Sequence, residues 1–165
     1  MRRRLLTVAV FALLITLGLI VFTLRQPPAN RVFVADQSES LALPEASIIL
    51  GGESFTVELA KTAESVIRGL SKRSFLPNNR GILLVFGRTG YHGIWMKEMR
   101  FSLDIVWIDE EGVVVDLREN VSPETFPEVF SPISPARYVL EVNAGVVGER
   151  NVRIGSRILP PVSSL

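Results

Sequence analysis

The stretch "LDIVWIDEEGVVVDLRE", Leu103 to Glu119, reads as a β-hairpin from its own pattern. Successive strand residues point to opposite faces, so Leu103, Ile105 and Trp107 separate from Asp104, Val106 and Ile108. "DEEG" then turns the chain, with Gly112 able to take the left-handed position of a type I turn with a bulge, and "VVVDLRE" returns. Asp109, Glu110 and Glu111 read as the exposed part of that turn. Asp104 is the exception to an otherwise apolar strand. Either it lies at the strand's entrance in water or it is drawn inward, where an unpaired carboxylate is costly or stays protonated. Lys97, Arg68 or Arg73 could supply a partner.

Working outward, "ASIIL" and "ESFTVELA" are two β-prone runs around Gly51-Gly52, a dipeptide suited to a tight hairpin turn. The period then changes. Thr62 can cap a short helix over about 62 to 70, with Ala63, Val66, Ile67 and Leu70 forming one apolar stripe. "GILLVFG" fits a strand covered on both faces, "YHGIWM" a further strand, and "RYVLEVNAG" a late one. "SPETFPEVFSPISPA" carries four prolines and reads as a long loop, and "SRIL" as a brief closing strand. Seven to eight short strands with one short helix predict a mainly β domain, a compact sandwich or partly closed barrel.

The N-terminus is of another kind. From Leu5 to Leu24 the chain has twenty residues without a charge, and a bilayer core of roughly 30 Å needs about 20 apolar helical residues to cross it. Arg2, Arg3 and Arg4 precede this run and only Arg25 closely follows, which orients the N-terminus to the cytoplasm. The expected organisation is a basic tip at 1–4, a transmembrane anchor at 5–24, a tether at 25–45 and an extracytoplasmic β-domain at 46–165. Secretion after signal cleavage is the alternative, but the run is longer than a typical signal's apolar core and no small-x-small site ends it.

The formal charge of +1 reports the anchor. Residues 26 to 165 hold 14 Lys and Arg against 17 Asp and Glu, so nothing resembles a nucleic-acid footprint. With no cysteine there is no disulfide framework and no thiolate chemistry. The single histidine, His92, gives little support to a metal site or a serine–histidine triad, and no phosphate-binding glycine loop or other cofactor signal is present.

"TAESVIRGLSKRSFLPNNRGILLVF", "WMKEMRFSLDIVWID" with "GVVVDL" after it, and "YVLEVNAG" with a later "IGS" resemble, in order and spacing, the prokaryotic family called domain of unknown function 192. The resemblance covers roughly residues 53 to 158. Its most specific parts are Trp95-Met96-Lys97 at a fixed distance from Leu103-Asp104, and Arg68-Gly69-Leu70 followed by Arg73. It implies a compact, mainly β domain, often behind a signal or anchor, with no assigned activity. Members commonly have Asn-Thr where this chain has Glu98-Met99, Pro at Ser102, Met at Ser71 and Arg at Val66. A site lined by those residues in relatives would be altered here.

For function, Trp95 beside Lys97 could form a stacking platform for a ring or a sugar, or could be core; Trp107, inside a good strand, belongs to the core. Glu141, flanked by apolar residues in a strand, is a second carboxylate of interest, although a solvated sheet face would also hold it. The reading is a binding module for a small molecule, a saccharide or a protein partner, with Trp95, Lys97, Asp104, Arg68 and Arg73 as its wall. One alternative is an envelope hydrolase in which Asp104 and Glu141 act as an acid–base pair. Another is a structural interaction module of a membrane complex, bound to an envelope protein. The absence of a convincing proton-transfer constellation leans away from an enzyme. The bilayer is the partner expected for residues 5–24.

Overall fold

The structure, a computed structural model, describes residues 42 to 159. The anticipated basic tip, membrane span and nearly all of the tether lie outside the described residues. Among the described residues no helix is long and apolar enough to cross a membrane.

Six strands form one sheet: β1 (Glu45–Leu50), β2 (Glu53–Ala60), β3 (Arg80–Gly90), β4 (Leu103–Ile108), β5 (Val114–Val121) and β6 (Ala136–Asn143), in the spatial order β1-β2-β3-β6-β4-β5. Two short helices accompany them, α1 (Ala63–Arg68) and α2 (Val146–Glu149). The domain is mainly β as expected, but it is a single six-stranded sheet and not a sandwich of seven or eight strands. The two runs read as extra strands contribute only isolated bridges. Ile94 of "YHGIWM" pairs with Phe130, while Arg157 and Leu159 of the closing segment bridge to Val113 and Ile49. Their neighbours lack the regular partners a ladder requires.

The β1–β2 hairpin forms as its glycines suggest. Leu50 pairs with Glu53 across Gly51 and Gly52, whose φ angles are 58° and 87°. Gly51 is required twice, because a Cβ there would also meet the Arg150 carbonyl oxygen at 2.1 Å. β2 and β3 run parallel, so the chain must cross over between them, and α1 with the loop after it makes that crossover. Thr62 caps α1 in a reciprocal arrangement with Ser65: each side chain accepts from the other residue's backbone N–H. The helix stripe differs from the expected one, since Ser65 is buried and Ile67 is 72% exposed. The capping box turns Ser65 inward, and Ile67 follows it out.

Burial on both faces of the sheet organises the rest. All six residues of β4 are buried. Val106 and Ile108 belong to a core built with Ile48, Phe55, Leu83, Leu140 and Val147, while Leu103, Ile105 and Trp107 belong to the other, with Leu70, Ile82, Leu84, Met96 and Val139. The second core is covered by α1, the loop after it and the segment from Ile94 to Phe101, and not by a second sheet.

Asp104 lies fully buried on the first side. Its two oxygens accept the Asn120 N–H at 2.8 Å and the Val147 N–H at 2.9 Å, which ties β4 to the end of β5 and to the first turn of α2. No lysine or arginine partner is involved. A carboxylate held by backbone N–H groups is stabilised by charge-assisted bonds, and loss of the acceptor leaves the buried Val147 N–H without a partner and frees the end of β5 at Asn120. Asp104→Ala is therefore expected to destabilise the domain by about 3 kcal/mol, and Asp104→Asn, which can satisfy only one donor, by about half of that. Urea unfolding midpoints measure this, and an unchanged midpoint in both variants would refute the assignment.

Candidate functional site

On the opposite side of the sheet a pocket of about 210 Å³ opens between the C-terminal end of α1 and the segment after β3. Its floor is Leu84 and Phe86 from β3, Leu103 from β4 and Glu141 from β6; its walls include Val66, Gly69, Ile94, Trp95 and Met99. Two contacts zip the wall loops together outside it. Ser71 Oγ donates to the Lys97 carbonyl at 3.0 Å and the Lys72 N–H donates to the Glu98 carbonyl at 2.9 Å. Behind the Trp95 wall, Ile94 and Phe130 exchange both backbone hydrogen bonds. The proline-rich loop that carries Phe130 is held in turn by Asp116, whose Oδ2 accepts the Ile133 N–H at 2.8 Å.

Three carboxylates are buried among the described residues: Asp104, Asp116 and Glu141. The first two are fully employed. Asp104 accepts two backbone N–H groups, and Asp116 accepts those of Leu117 and Ile133 together with the Arg118 guanidinium. Glu141 is 5% exposed, and no hydrogen bond ties its side chain to another described residue. Burial pushes its carboxyl up to about 7, against a smaller opposing pull from Arg73. The register explains its position. Ile82 and Ile105 flank Glu141 on either side, so it sits mid-sheet on the face of Val139 with apolar neighbours. Gly69, at φ 47°, passes directly over it, and a Cβ there would lie 3.4 Å from Oε2. The glycine thus lets the backbone approach the carboxyl and leaves room beside it.

The five residues expected to form one wall are dispersed. Trp95 and Arg68 line the pocket. Trp95 is 45% exposed and meets Phe126 edge-on at 6.0 Å, while Arg68 stands at the mouth, 3.8 Å from Glu64. Lys97 lies outside, with its ammonium 5.5 Å from the centre of the Trp95 ring. Arg73 makes a two-pronged pair with Glu58 at 2.6 and 2.7 Å, an interaction that holds the Glu58 carboxyl below its ordinary range. That planar fork is committed to structure. Asp104 is on the far face of the sheet. Because Asp104 pairs with Val142 while Ile105 pairs with Glu141, the two carboxylates point to opposite sides, and an acid–base pair made of them is ruled out by the register.

Sequence reasoning missed the apolar lining, because "YHGIWM", read as a strand, is an irregular segment whose consecutive residues Gly93, Ile94 and Trp95 all line the pocket. The signal available was Gly69 at the helix end together with an acid inside an apolar strand. Trp107 is core, with its indole N–H donating to the His92 carbonyl at 2.8 Å. The His92 ring stacks on Phe86 at 3.7 Å. Among the described residues, no group of three or more His, Asp or Glu side chains is arranged to hold a metal ion.

With this geometry in hand, the comparisons with known proteins fix the family. The profile of domain of unknown function 192, described as "Uncharacterized ACR", matches residues 46–159, and the chain belongs to that family. A protein from Sinorhizobium meliloti 1021 described as a proposed transcription regulator is 30% identical. Its crystal structure superposes with a TM-score of 0.67 over 72% of this chain and 95% of that one. A protein of unknown function from Novosphingobium aromaticivorans DSM 12444, 22% identical, has the same fold at a TM-score of 0.67, covering 70% of this chain and 85% of its own. No curated protein matches the chain.

The Glu141 assignment has a signed consequence for stability. In the unfolded chain this group titrates near 4.5 and in the fold near 7. Between those values the folded state holds the extra proton, so stability falls as pH rises through the window and levels off above it. Glu141→Gln removes the titration. Its thermal midpoint should be close to the wild type's at about pH 4 and higher by the equivalent of roughly 3 kcal/mol above about pH 8. A difference that does not vary with pH would mean that Glu141 is not buried in its charged form.

Proposed function

We propose that the domain is a binding module whose ligand is a small molecule held in the pocket over Glu141. The observation that carries this reading is the contrast among buried acids: two are saturated with hydrogen bonds, whereas the third faces a cavity with none. The Glu141 carboxyl has no protein hydrogen bond and faces the pocket, so whatever completes its hydrogen bonding enters from there. The shape argues for a compact ligand. A cavity of 150 Å³ holds a benzene ring, and this one is about 210 Å³. A saccharide fits less well, because its many hydroxyls need more polar partners than one carboxyl and a few backbone groups offer. Trp95, half in solvent at the rim, supplies the aromatic wall that the sequence suggested.

The membrane anchor at 5–24 belongs to the same proposal and rests on the sequence pattern alone. It places the pocket on the extracytoplasmic side, tethered by residues 25–45. Fusing a reporter that is active only after export to the C-terminus is expected to give activity in the membrane fraction. A reporter active only in the cytoplasm would contradict the orientation, and activity in the medium would favour the cleaved form.

A screen of small aromatic fragments by protein NMR tests the pocket itself. Fragments are expected to shift the Trp95 indole N–H while leaving Trp107 unmoved. Val66→Phe, which places a ring in the cavity from α1, should suppress those shifts at unchanged fold. If fragments perturb no Trp95 signal, or act equally on the filled variant, the pocket is not the binding site.

A further inference from the structure

We propose that the ligand of this pocket is an ammonium cation carrying a compact apolar body, with Glu141 as its counter-ion on the floor and Trp95 as the aromatic residue at its rim. This rests on the pocket being a small-molecule site and goes further by naming the charge and shape of what it takes.

The argument begins with charge balance around Glu141. Arg73 is the cation whose field reaches it, but both of the Arg73 guanidinium nitrogens that bond are engaged by Glu58 at 2.6 and 2.7 Å. With its hydrogen bonds spent on Glu58, Arg73 offers Glu141 only a partial long-range pull that burial outweighs, and no direct pairing. Arg68 lines the pocket but lies at its mouth, with its side chain 42% exposed and paired to Glu64. In water such a charge is screened and does not neutralise a carboxylate on the floor. The rest of the floor and much of the wall is apolar: Leu84, Phe86, Leu103, Ile94, Met99.

Three kinds of guest could satisfy the carboxyl. A neutral hydroxyl donates one hydrogen bond and leaves the charge in place. An acid can enter only if Glu141 keeps a proton, and then it brings a second carboxylate into the same apolar floor. An ammonium supplies donors and the opposite charge together, and a desolvated pair of this kind is stronger than a neutral hydrogen bond. The Trp95 ring already has the Lys97 ammonium 5.5 Å from its centre and Phe86 is stacked on His92, so the rings contribute shape and the preference for charge comes from Glu141. The remainder of the guest is set by volume, at about one ring with a short arm.

Benzylammonium, benzyl alcohol and benzoate are matched in size and differ in charge, so they separate these cases. Binding to the full-length protein is followed at about pH 8 by calorimetry and by the Trp95 indole signal, with wild type and E141Q. Benzylammonium is expected to bind wild type at least about tenfold tighter than either of the others, and E141Q to remove that preference while still admitting benzyl alcohol. If the alcohol or benzoate binds as well as the ammonium, the cation assignment is overturned while the small-molecule reading stands. If none of the three binds wild type, both fall.

Discussion

β4 meets water on neither face, and that constraint orders the whole domain. A central strand between β6 and β5 must send alternate side chains into two separate cores, so every polar residue on it or beside it must find a partner inside the protein. Asp104 does so with backbone N–H groups from β5 and α2, which anchors one side. On the other side the cover is thinner. A two-turn helix and an extended segment lie over the second core, and they do not close completely above β6. The opening exposes Glu141 to a cavity, so the same two-sided burial that requires Asp104 to be satisfied leaves Glu141 waiting.

Much of this was readable from local pattern. The two hairpins, the capped helix at Thr62 and the strands in "GILLVFG" and "RYVLEVNAG" follow from alternation, from a continuous apolar run, from Gly51-Gly52 and from the change of period at Ala63, although β3 runs on to Gly90. What could not be read was pairing. Alternation places Asp104 with Val106 and Ile108 but does not say what lies beneath them, and the nearest cations in sequence looked like partners. Backbone N–H groups sixteen and forty-three residues away are invisible to such reasoning. The separation of Asp104 from Glu141 likewise depends on a register between β4 and β6 that only long-range pairing sets. The strand count failed for a related reason. A β-prone run such as "YHGIWM" becomes a strand only if a neighbour offers a full ladder, and here the neighbour offers one bridge at Phe130.

The candidate site was legible in pieces. Trp95 and Arg68 do line a cavity, while Arg73, attractive as a free guanidinium, is spent on Glu58. The acid of greatest chemical interest is Glu141, whose apolar flanks in the strand marked it and whose depth only the fold could reveal. Membership of the domain of unknown function 192 family fixes the architecture and names no activity, so the chemistry has to be drawn from the pocket: one desolvated carboxyl, an aromatic residue at the rim and a glycine that lets the backbone pass close above.

The most direct measurement is a carbon-detected NMR titration of the Glu141 side-chain carboxyl in the folded domain. A midpoint near 7 is expected, because burial outweighs the pull of Arg73. A midpoint at the ordinary glutamate value of 4.5 would mean the group is solvated or already paired, and the pocket would lose the feature that makes it a site.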